Sequence, residues 1–252
     1  MSSALLIPSR TLKTLARFAD AIAISAEQGR AFFQHKNVVV TGYPVRSTLK
    51  IWELPQAQHA LGLQHDLPTL LVTGGSTGAR SINRALLSVL PDLLAEMQVV
   101  HLTGRLDWKE VDTFRATLTA EQTARYHPYP YLHEEMRAAF TSADLVISRA
   151  GASCLGEYPM FGLPAILVPY PYAWRYQRVN ASYLESRGAA VVLEDAELPE
   201  KILPLARALI QDVTRRGEMR KAMQALYQPK AAASIANLLH NLANPDKVTT
   251  YG

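Results

Sequence analysis

The sequence has little cysteine and no long uninterrupted apolar run. The 252-residue chain contains one cysteine, Cys154, which excludes an intrachain disulfide framework and a zinc site built from cysteines, and fits a reducing compartment. The longest apolar stretch, residues 162–174, includes three prolines and is shorter than the ~20 residues that span a bilayer. The first seven residues form too short an apolar run for a signal peptide. We therefore expect a soluble chain that can still dock on a membrane surface.

Strong charge and familiar metal motifs are also missing. Lysine and arginine number 26 against 22 aspartates and glutamates, a net charge of +4. No dense basic run occurs, so the charge allows an anionic ligand but does not indicate nucleic acid. The chain has no Asp-x-Asp and no His-Glu-x-x-His motif, and we expect no bound metal. A bound diphosphate would then depend on helix dipoles and arginines, for which Arg46 and Arg80 are candidates.

What the sequence does contain is an alternation of short apolar runs and longer amphipathic ones. The hydrophobic content of 48% is enough for a sizeable core. Apolar runs throughout their length predict buried parallel strands at residues 69–72, 99–102, 145–147, 165–168 and 190–193. Helical patterns lie between and after them, at residues 79–97, 108–118, 133–141, 154–161, 175–187 and 199–212, with a final helical pair in 218–242 broken near Pro229. The pattern predicts an α/β fold with a Rossmann-like, doubly wound parallel sheet.

The first 46 residues do not belong to that alternation. They predict a helix at 10–18, a strand at 21–24, a helix at 26–35 and a strand at 38–40. One and a half βα units cannot close a core alone, so we interpret residues 1–46 as the remnant of a second α/β domain. A polar linker at 47–68 and a main domain at 69–245 follow.

A glycine-rich turn follows the first strand of the main domain. Gly74, Gly75 and Gly78 stand between that strand and a helix. Glycines let the backbone approach a phosphate, and the helix N-terminus offers free N–H groups. Ser76 or Thr77 could add a hydroxyl. The turn matches neither a Walker loop nor the dinucleotide fingerprint, and a simple tight βα turn is the alternative interpretation.

A second turn of small residues, at 148–154, also leads from a strand into a helix. Small side chains leave the helix N-terminus open to a diphosphate. Glu157 lies one turn into the helix, where a carboxylate can accept two hydrogen bonds from a ribose diol. Alternatively, Glu157 only complements the helix dipole.

Two further segments have residue types suited to sugars and bases. After a proline-stiffened aromatic loop, Gln177 and Asn180 are spaced i, i+3 on one helix face, where amides suit sugar hydroxyls. Leu132 and Met136 could flank a base. The alternatives are a solvent-facing first turn for the amides and a hydrophobic staple for the two apolar residues.

These motifs together resemble glycosyltransferase family 28, in particular the N-acetylglucosaminyltransferases of bacterial peptidoglycan synthesis. The resemblance extends from about Pro8 to the last helices. It rests on six segments in order: residues 41–46 (TGYPVR), 74–80 (GGSTGAR), 148–152 (SRAGA), 156–157 (GE), 162–169 (GLPAILVP) and 177–181 (QRVNA).

The resemblance implies a GT-B architecture, in which two Rossmann-like domains face each other across a cleft. The C-terminal domain would bind UDP-GlcNAc, and the N-terminal domain would bind lipid-linked MurNAc-pentapeptide and touch the membrane. The acceptor hydroxyl would displace UDP with inversion, without cofactor or obligatory metal. The location implied is cytoplasmic, peripheral to the cytoplasmic face of the cell membrane.

Five residues would serve the nucleotide and its phosphates according to this resemblance. Ser76 would contact the diphosphate, and Arg46 would help at the nucleotide. The α-phosphate would lie at the turn formed by Ala152, Ser153 and Cys154.

Five others would serve the base and the sugars. Leu132 and Met136 would line the uracil site, and Glu157 would hold the ribose. Gln177 would bind the GlcNAc hydroxyls, with Asn180 beside it.

The chain departs from the family in three places. Tyr176 precedes Gln177 where paired glutamines are common, and Cys154 replaces a common threonine. The Gly-Gly-Thr-Gly-Gly-His loop, whose histidine is the family's candidate base, has no match, so no catalytic residue is assigned. We therefore expect the donor-binding half of a transferase. The alternatives are an inactive or split-enzyme UDP-sugar-binding module, or another GT-B nucleotide-sugar enzyme such as an epimerase.

Overall fold

Parallel strands in two sheets organise the protein. The computed structural model describes residues 2–3, 10–75, 77–172 and 176–244. A small sheet has the order β1-β2-β3, with strands β1 (Ser2–Ser3), β2 (Ile22–Ile24) and β3 (Val38–Val40). The main sheet consists of β4 (Thr69–Thr73), β5 (Gln98–Leu102), β6 (Tyr126–Tyr129), β7 (Leu145–Ser148), β8 (Ala165–Leu167) and β9 (Ala190–Val192). All strand pairs in both sheets are parallel.

Helices connect these strands and follow the last of them. In chain order the described α-helices are α1 (Arg10–Ala16), α2 (Leu54–Leu61), α3 (Arg80–Leu94), α4 (Trp108–Arg115), α5 (Ala120–Arg125), α6 (Met136–Ser142), α7 (Glu157–Phe161), α8 (Tyr176–Glu185), α9 (Leu198–Gln211), α10 (Val213–Gln224) and α11 (Ala231–Ala243). Short 3-10 helices occur at Glu27–Phe32, Ala152–Leu155 and Asp195–Glu197.

The order of the main sheet is β6-β5-β4-β7-β8-β9. The chain therefore builds outward from β4 in one direction and from β7 in the other, which makes the β4–β7 boundary a topological switch point. Thr73 pairs with Ser148 at the end of these two strands. The loops that follow them consequently leave the sheet side by side.

Both faces of the sheet are covered, because successive side chains point to opposite sides. Leu71 and Val146 belong to one buried cluster, whereas Leu70, Val72 and Ile147 belong to a second cluster on the other face. Every residue of β4 and β7 is buried. The predicted doubly wound parallel sheet is confirmed, and its five predicted strands are all present.

The structure corrects the sequence prediction at β6, which was not predicted. Its sequence, Tyr-His-Pro-Tyr, lacks a continuous apolar run. β6 lies at the edge of the sheet and pairs only with β5, with Pro128 opposite His101. An edge strand tolerates proline because one of its sides makes no ladder hydrogen bonds.

Helical regions in the expected linker and in the main domain also differ from expectation. The stretch at 47–68, predicted as a linker, contains α2, whose Ala57 and Leu61 share a core cluster with Ala138 of α6. The predicted helix at 154–161 is instead a 3-10 turn followed by α7, separated at Gly156. The segment between α10 and α11 includes Pro229, as predicted for the final pair.

The N-terminal unit, defined as residues 10–46, has a small core of its own. Its buried apolar residues are Ala16, Ile22, Ile24, Phe33 and Val38. Its last residues pack on the main domain, where Tyr43 and Val45 lie against the larger core. The expected helix at 26–35 is a 3-10 helix. The domain boundaries at 46 and 68 remain a proposal.

Candidate functional site

A large cavity lies at the carboxyl ends of β4, β7 and β8, beside the switch point, with a volume of about 1120 Å³. Ligands in open α/β sheets bind in this crevice. Two loops form its centre: the β4 loop, residues 74–79, and the β7 loop, residues 149–151. Side chains from α3, α6, α7 and α8 also line the cavity.

The β4 loop is shaped by glycine. Gly75 and Gly78 have φ angles of 83° and 80°, a region that side chains disfavour. A Cβ on Gly78 would lie 2.3 Å from the carbonyl oxygen of Thr103, and one on Gly104 would lie 2.5 Å from the Gly78 Cα. The loop after β5 therefore supports the β4 loop by direct backbone contact.

The N-terminus of α3 opens into the cavity directly after this loop. Thr77, Ala79 and Arg80 border the cavity, and a 15-residue helix gives its N-terminus the partial positive charge that attracts anions. Ser76, predicted to contact a diphosphate, lies outside the described residues. The position of the turn nevertheless agrees with a phosphate-binding loop.

The β7 loop is fixed by an arginine for which the sequence analysis proposed no role. The Arg149 guanidinium donates to the Val168 carbonyl oxygen at 3.2 Å, to Asp195 Oδ1 at 2.5 Å and to Ser81 Oγ at 2.7 Å. Ser81 in turn donates to Asp195 at 2.7 Å. This triad joins the β7 loop to α3 and to the segment before α9. No local motif marks it, because its three members come from distant parts of the chain.

The predicted α-phosphate turn follows the β7 loop as a 3-10 helix. Ser153 and Cys154 border the cavity, and Ala152 lies half-buried beside them. Cys154 is buried, and this burial, with Glu157 nearby, raises the pKa of its thiol. The thiol is therefore protonated and packs as a small apolar group.

Glu157 and Arg46 meet although they belong to different units. Their charged groups are 3.6 Å apart, with 14% of the Glu157 side chain exposed and 62% of Arg46. Burial raises the pKa of Glu157, while the positive charge of Arg46 and a hydrogen bond from Ser153 act in the opposite direction. A largely buried carboxylate that borders the cavity is suited to accept hydrogen bonds from ligand hydroxyls.

Gln177 and Asn180 have different surroundings despite sharing α8. Gln177 borders the cavity, and its Oε1 accepts a bond from the Tyr170 backbone N–H at 2.9 Å. Asn180 is 1% exposed and donates to the carbonyl oxygen of Ala150 at 3.1 Å. In this structure Asn180 anchors the β7 loop from behind and does not line the cavity.

The two residues predicted to flank a base also separate. Met136 borders the cavity at the start of α6. Leu132 is 6% exposed and packs in the core, away from the cavity wall. The structure therefore brings Ser153, Cys154, Glu157, Gln177 and Met136 to the wall of the cavity. Arg46 is joined to this group through its ion pair with Glu157.

The described residues include no group of three or more His, Cys, Asp or Glu side chains that could hold a metal ion. In the same residues, no helix combines the length and the apolar character needed to cross a membrane.

The chain is similar in sequence to known proteins. Residues 69–239, more than half of the chain, match the glycosyltransferase family 28 C-terminal domain. The UDP-N-acetylglucosamine–N-acetylmuramyl-(pentapeptide) pyrophosphoryl-undecaprenol N-acetylglucosamine transferase of Roseiflexus sp. (strain RS-1) is 38% identical, and the match covers 94% of this chain and 62% of that protein. The protein of the same name from Chlorobium phaeobacteroides is 39% identical, with coverage of 94% and 64%. The chain thus spans less than two thirds of the length of these curated relatives.

Solved structures show the same architecture. The crystal structure of Acinetobacter baumannii MurG superposes with a TM-score of 0.71 at 22% identity, covering 95% of this chain and 65% of that one. A Neisseria meningitidis UDP-GlcNAc 2-epimerase bound to UDP-GlcNAc superposes with a TM-score of 0.66 at 15% identity, covering 93% and 65%. These likenesses confirm the predicted GT-B-type fold and its C-terminal half.

The family match and the curated relatives agree with the resemblance drawn from the six sequence segments. The matched domain, residues 69–239, contains both cavity loops. The chain belongs to glycosyltransferase family 28.

Proposed function

We propose that the cavity binds UDP-GlcNAc and that the chain is the donor-binding half of a peptidoglycan N-acetylglucosaminyltransferase. The observation that carries the proposal is the largely buried Glu157 carboxylate beside Arg46, at the wall of a cavity that also contains the N-terminus of α3. A hydroxyl-binding acid next to an anion-binding helix end suits a ribose attached to a diphosphate.

The role of each group follows from its chemistry. The β4 loop and the N-terminus of α3 stabilise the diphosphate, and Arg46 and Arg80 add positive charge. Glu157 accepts hydrogen bonds from the ribose hydroxyls, and Gln177 contacts the GlcNAc hydroxyls. The helix dipole and arginines stabilise the UDP that leaves, so the proposed transfer needs no metal ion. It inverts the anomeric centre because the acceptor hydroxyl attacks opposite the leaving diphosphate.

The acceptor side of the reaction extends beyond this cavity. We propose that lipid-linked MurNAc-pentapeptide binds a domain to which residues 1–46 belong, at the cytoplasmic face of the membrane. Names of the curated relatives, which describe transfer of N-acetylglucosamine to a pyrophosphoryl-undecaprenol acceptor, support this assignment.

Calorimetric titration tests donor binding. We expect the chain to bind UDP-GlcNAc and UDP, and Glu157→Ala to weaken UDP binding by about 1–3 kcal/mol, because hydroxyls of the ribose lose a charged acceptor. Glu121→Ala is the matched control, since Glu121 is an exposed acid paired with Arg125 on α5. Unchanged UDP affinity in Glu157→Ala, with the fold intact, would assign Glu157 a structural role only.

Sugar and acceptor specificity need separate measurements. Comparison of UDP-GlcNAc with UDP-glucose and UDP-galactose distinguishes a GlcNAc donor site from that of another nucleotide-sugar enzyme. Assay of transfer to lipid-linked MurNAc-pentapeptide distinguishes a complete transferase from a donor-binding half. Donor binding without transfer by this chain alone is the result that the proposal predicts.

A further inference from the structure

A row of hydrogen bonds runs through the buried side chains of His101, Asn83 and Asp107 next to the β4 loop. The Tyr126 hydroxyl is 2.8 Å from His101 Nδ1, and His101 Nε2 is 3.0 Å from Asn83 Oδ1. Asn83 Nδ2 lies 2.8 Å from both the Thr103 carbonyl oxygen and Asp107 Oδ2. Arg80 Nε is 3.0 Å from Asp107 Oδ1. The row therefore leads from the edge of the sheet to a residue that borders the cavity.

The proton positions in this row follow from its two ends. Carbonyl and carboxylate oxygens only accept, so Thr103 and Asp107 require the Asn83 amide nitrogen, and Asn83 Oδ1 must face His101. His101 then donates from Nε2, and its Nδ1 accepts from the Tyr126 hydroxyl. In this single arrangement of protons every donor faces an acceptor. None of His101, Asn83 and Asp107 is more than 5% exposed. The position of the Asp107 carboxylate is fixed as a result.

Asp107 also lacks the role that its place in the chain suggests. It is the N-cap residue of α4, where aspartate commonly accepts a bond from the helix backbone. Its side chain makes no capping bond and turns towards Asn83 and Arg80. The carboxylate is thus buried for its contacts with side chains of α3.

We propose that Asp107 is a positioning residue that holds Arg80 at its Nε, so that the two terminal nitrogens of the guanidinium are left to bind the ligand diphosphate. Arg80 is suited to this division, since guanidinium has donors in a fixed fork. The Arg80 side chain is 62% exposed at the cavity wall, so without an anchor it would lose more conformational freedom on binding. This inference rests on the proposed binding of a UDP-sugar in the cavity.

A double-mutant cycle on the whole chain tests the proposal, with UDP as the titrant. Asp107→Asn should weaken UDP binding by about 2- to 10-fold, the scale for ordering one long side chain. In the Arg80→Ala background, the same substitution should cause no loss, because there is no guanidinium to orient. Equal losses in both backgrounds, or UDP binding by Asp107→Asn as tight as wild type, would overturn the proposal.

Uridine separates positioning from structural damage, because it has no phosphate. Its binding, followed by NMR titration, should be the same in wild type and Asp107→Asn, and a parallel loss of uridine and UDP binding would overturn the proposal.

Arg80→Lys provides a second variant should Asp107→Asn fail to fold. A single ammonium group cannot bind Asp107 and the diphosphate at the same time, as the forked guanidinium can. UDP binding by Arg80→Lys should therefore weaken about as much as in Asp107→Asn. Wild-type UDP affinity in this variant would contradict the inference. Absence of UDP binding by wild type would instead overturn the proposed function itself, and this inference with it.

Discussion

The two loops at the centre of the cavity are neighbours in space but are held in place in opposite ways. The β4 loop is shaped by its backbone, with two positive-φ glycines and a contact in which Gly78 leaves no room for a Cβ. The β7 loop contains Gly151, where a Cβ would meet nothing within 4 Å. Its position depends on polar side chains, namely Arg149 within the loop and Asn180 behind it.

The difference shows that one ligand site can combine steric and polar constraints. Both loops leave the sheet at paired residues, Thr73 and Ser148, so a ligand that lies across the switch point meets both. The β4 loop should tolerate few substitutions of its glycines, whereas the β7 loop should depend on residues at some distance from the ligand.

Gly78→Ala breaks the steric side of the comparison. A Cβ 2.3 Å from the Thr103 carbonyl oxygen, at φ 80°, should lower the free energy of unfolding by about 4 kcal/mol, combining backbone strain and overpacking. Gly151→Ala is the matched control and should change stability by less than ~0.5 kcal/mol. Urea denaturation measures both, and equal losses would show that the loops do not differ in this way.

Acid should lower the stability of the fold through His101, which lies next to the β4 loop. Burial lowers the pKa of His101 to about 3, although Asp107 nearby partly offsets this effect. A histidine whose pKa is lower in the folded chain than in the unfolded chain stabilises the fold at pH values above its unfolded-state pKa. This stabilisation is lost as the pH falls from the unfolded-state pKa towards the folded-state pKa. Between pH 7 and pH 4 the free energy of unfolding should fall by about 3 kcal/mol from this group.

The variant His101→Gln is the comparison for the acid titration, because glutamine can still donate and accept at this position. Its free energy of unfolding should be lower at pH 7 but should depend less steeply on pH between 7 and 4. Parallel pH profiles for wild type and variant would show that His101 is not the group responsible.

Asn180→Ala tests the polar side of the comparison. Removal of the amide leaves the buried Ala150 carbonyl oxygen without this donor, which should cost about 2 kcal/mol of stability and weaken UDP binding as the β7 loop relaxes. Gln177→Ala on the same helix should affect stability little and GlcNAc-dependent affinity more. Thermal unfolding and titration with UDP and UDP-GlcNAc measure the two effects. Wild-type stability in Asn180→Ala would show that Asn180 does not anchor the β7 loop.

The smallest effect concerns Glu157. Because burial raises its folded-state pKa above the usual 4.5, its contribution to stability is present below pH 4.5 and is lost as the pH rises through the folded value. Relative to wild type, Glu157→Gln should therefore gain stability as the pH increases above about 4.5. Chemical denaturation from pH 4 to pH 8 measures this difference, and a constant difference would contradict a raised pKa.

Much of the fold could be predicted because its strands are marked by continuous apolar runs. The segment at 70–72, for example, is apolar on both faces, because both faces of the sheet are covered. β6 could not be predicted in this way, since an edge strand with Pro128 and His127 lacks that signal. The helix α2 was missed because it lies in a polar stretch of sequence and only one of its sides packs in the core.

Residues that border the cavity could be predicted where their place depends on a loop or a helix start, as for the β4 glycines and Glu157. The orientation of side chains could not. Spacing placed Gln177 and Asn180 on one helix face, but the rotation of α8 in the structure buries Asn180 and leaves Gln177 at the cavity. Likewise, the Arg149–Ser81–Asp195 triad depends on three-dimensional contacts between distant segments.

The backbone contact between Gly78 and Gly104 has a consequence for how this protein can change over time. A side chain on either residue would collide with the backbone of the other loop. Compensation for a bulky substitution usually comes from a smaller neighbour, but here each neighbour is already the smallest residue. A substitution at one of these two glycines therefore cannot be compensated by a second substitution at the other, and we expect both positions to remain glycine as the sequence evolves.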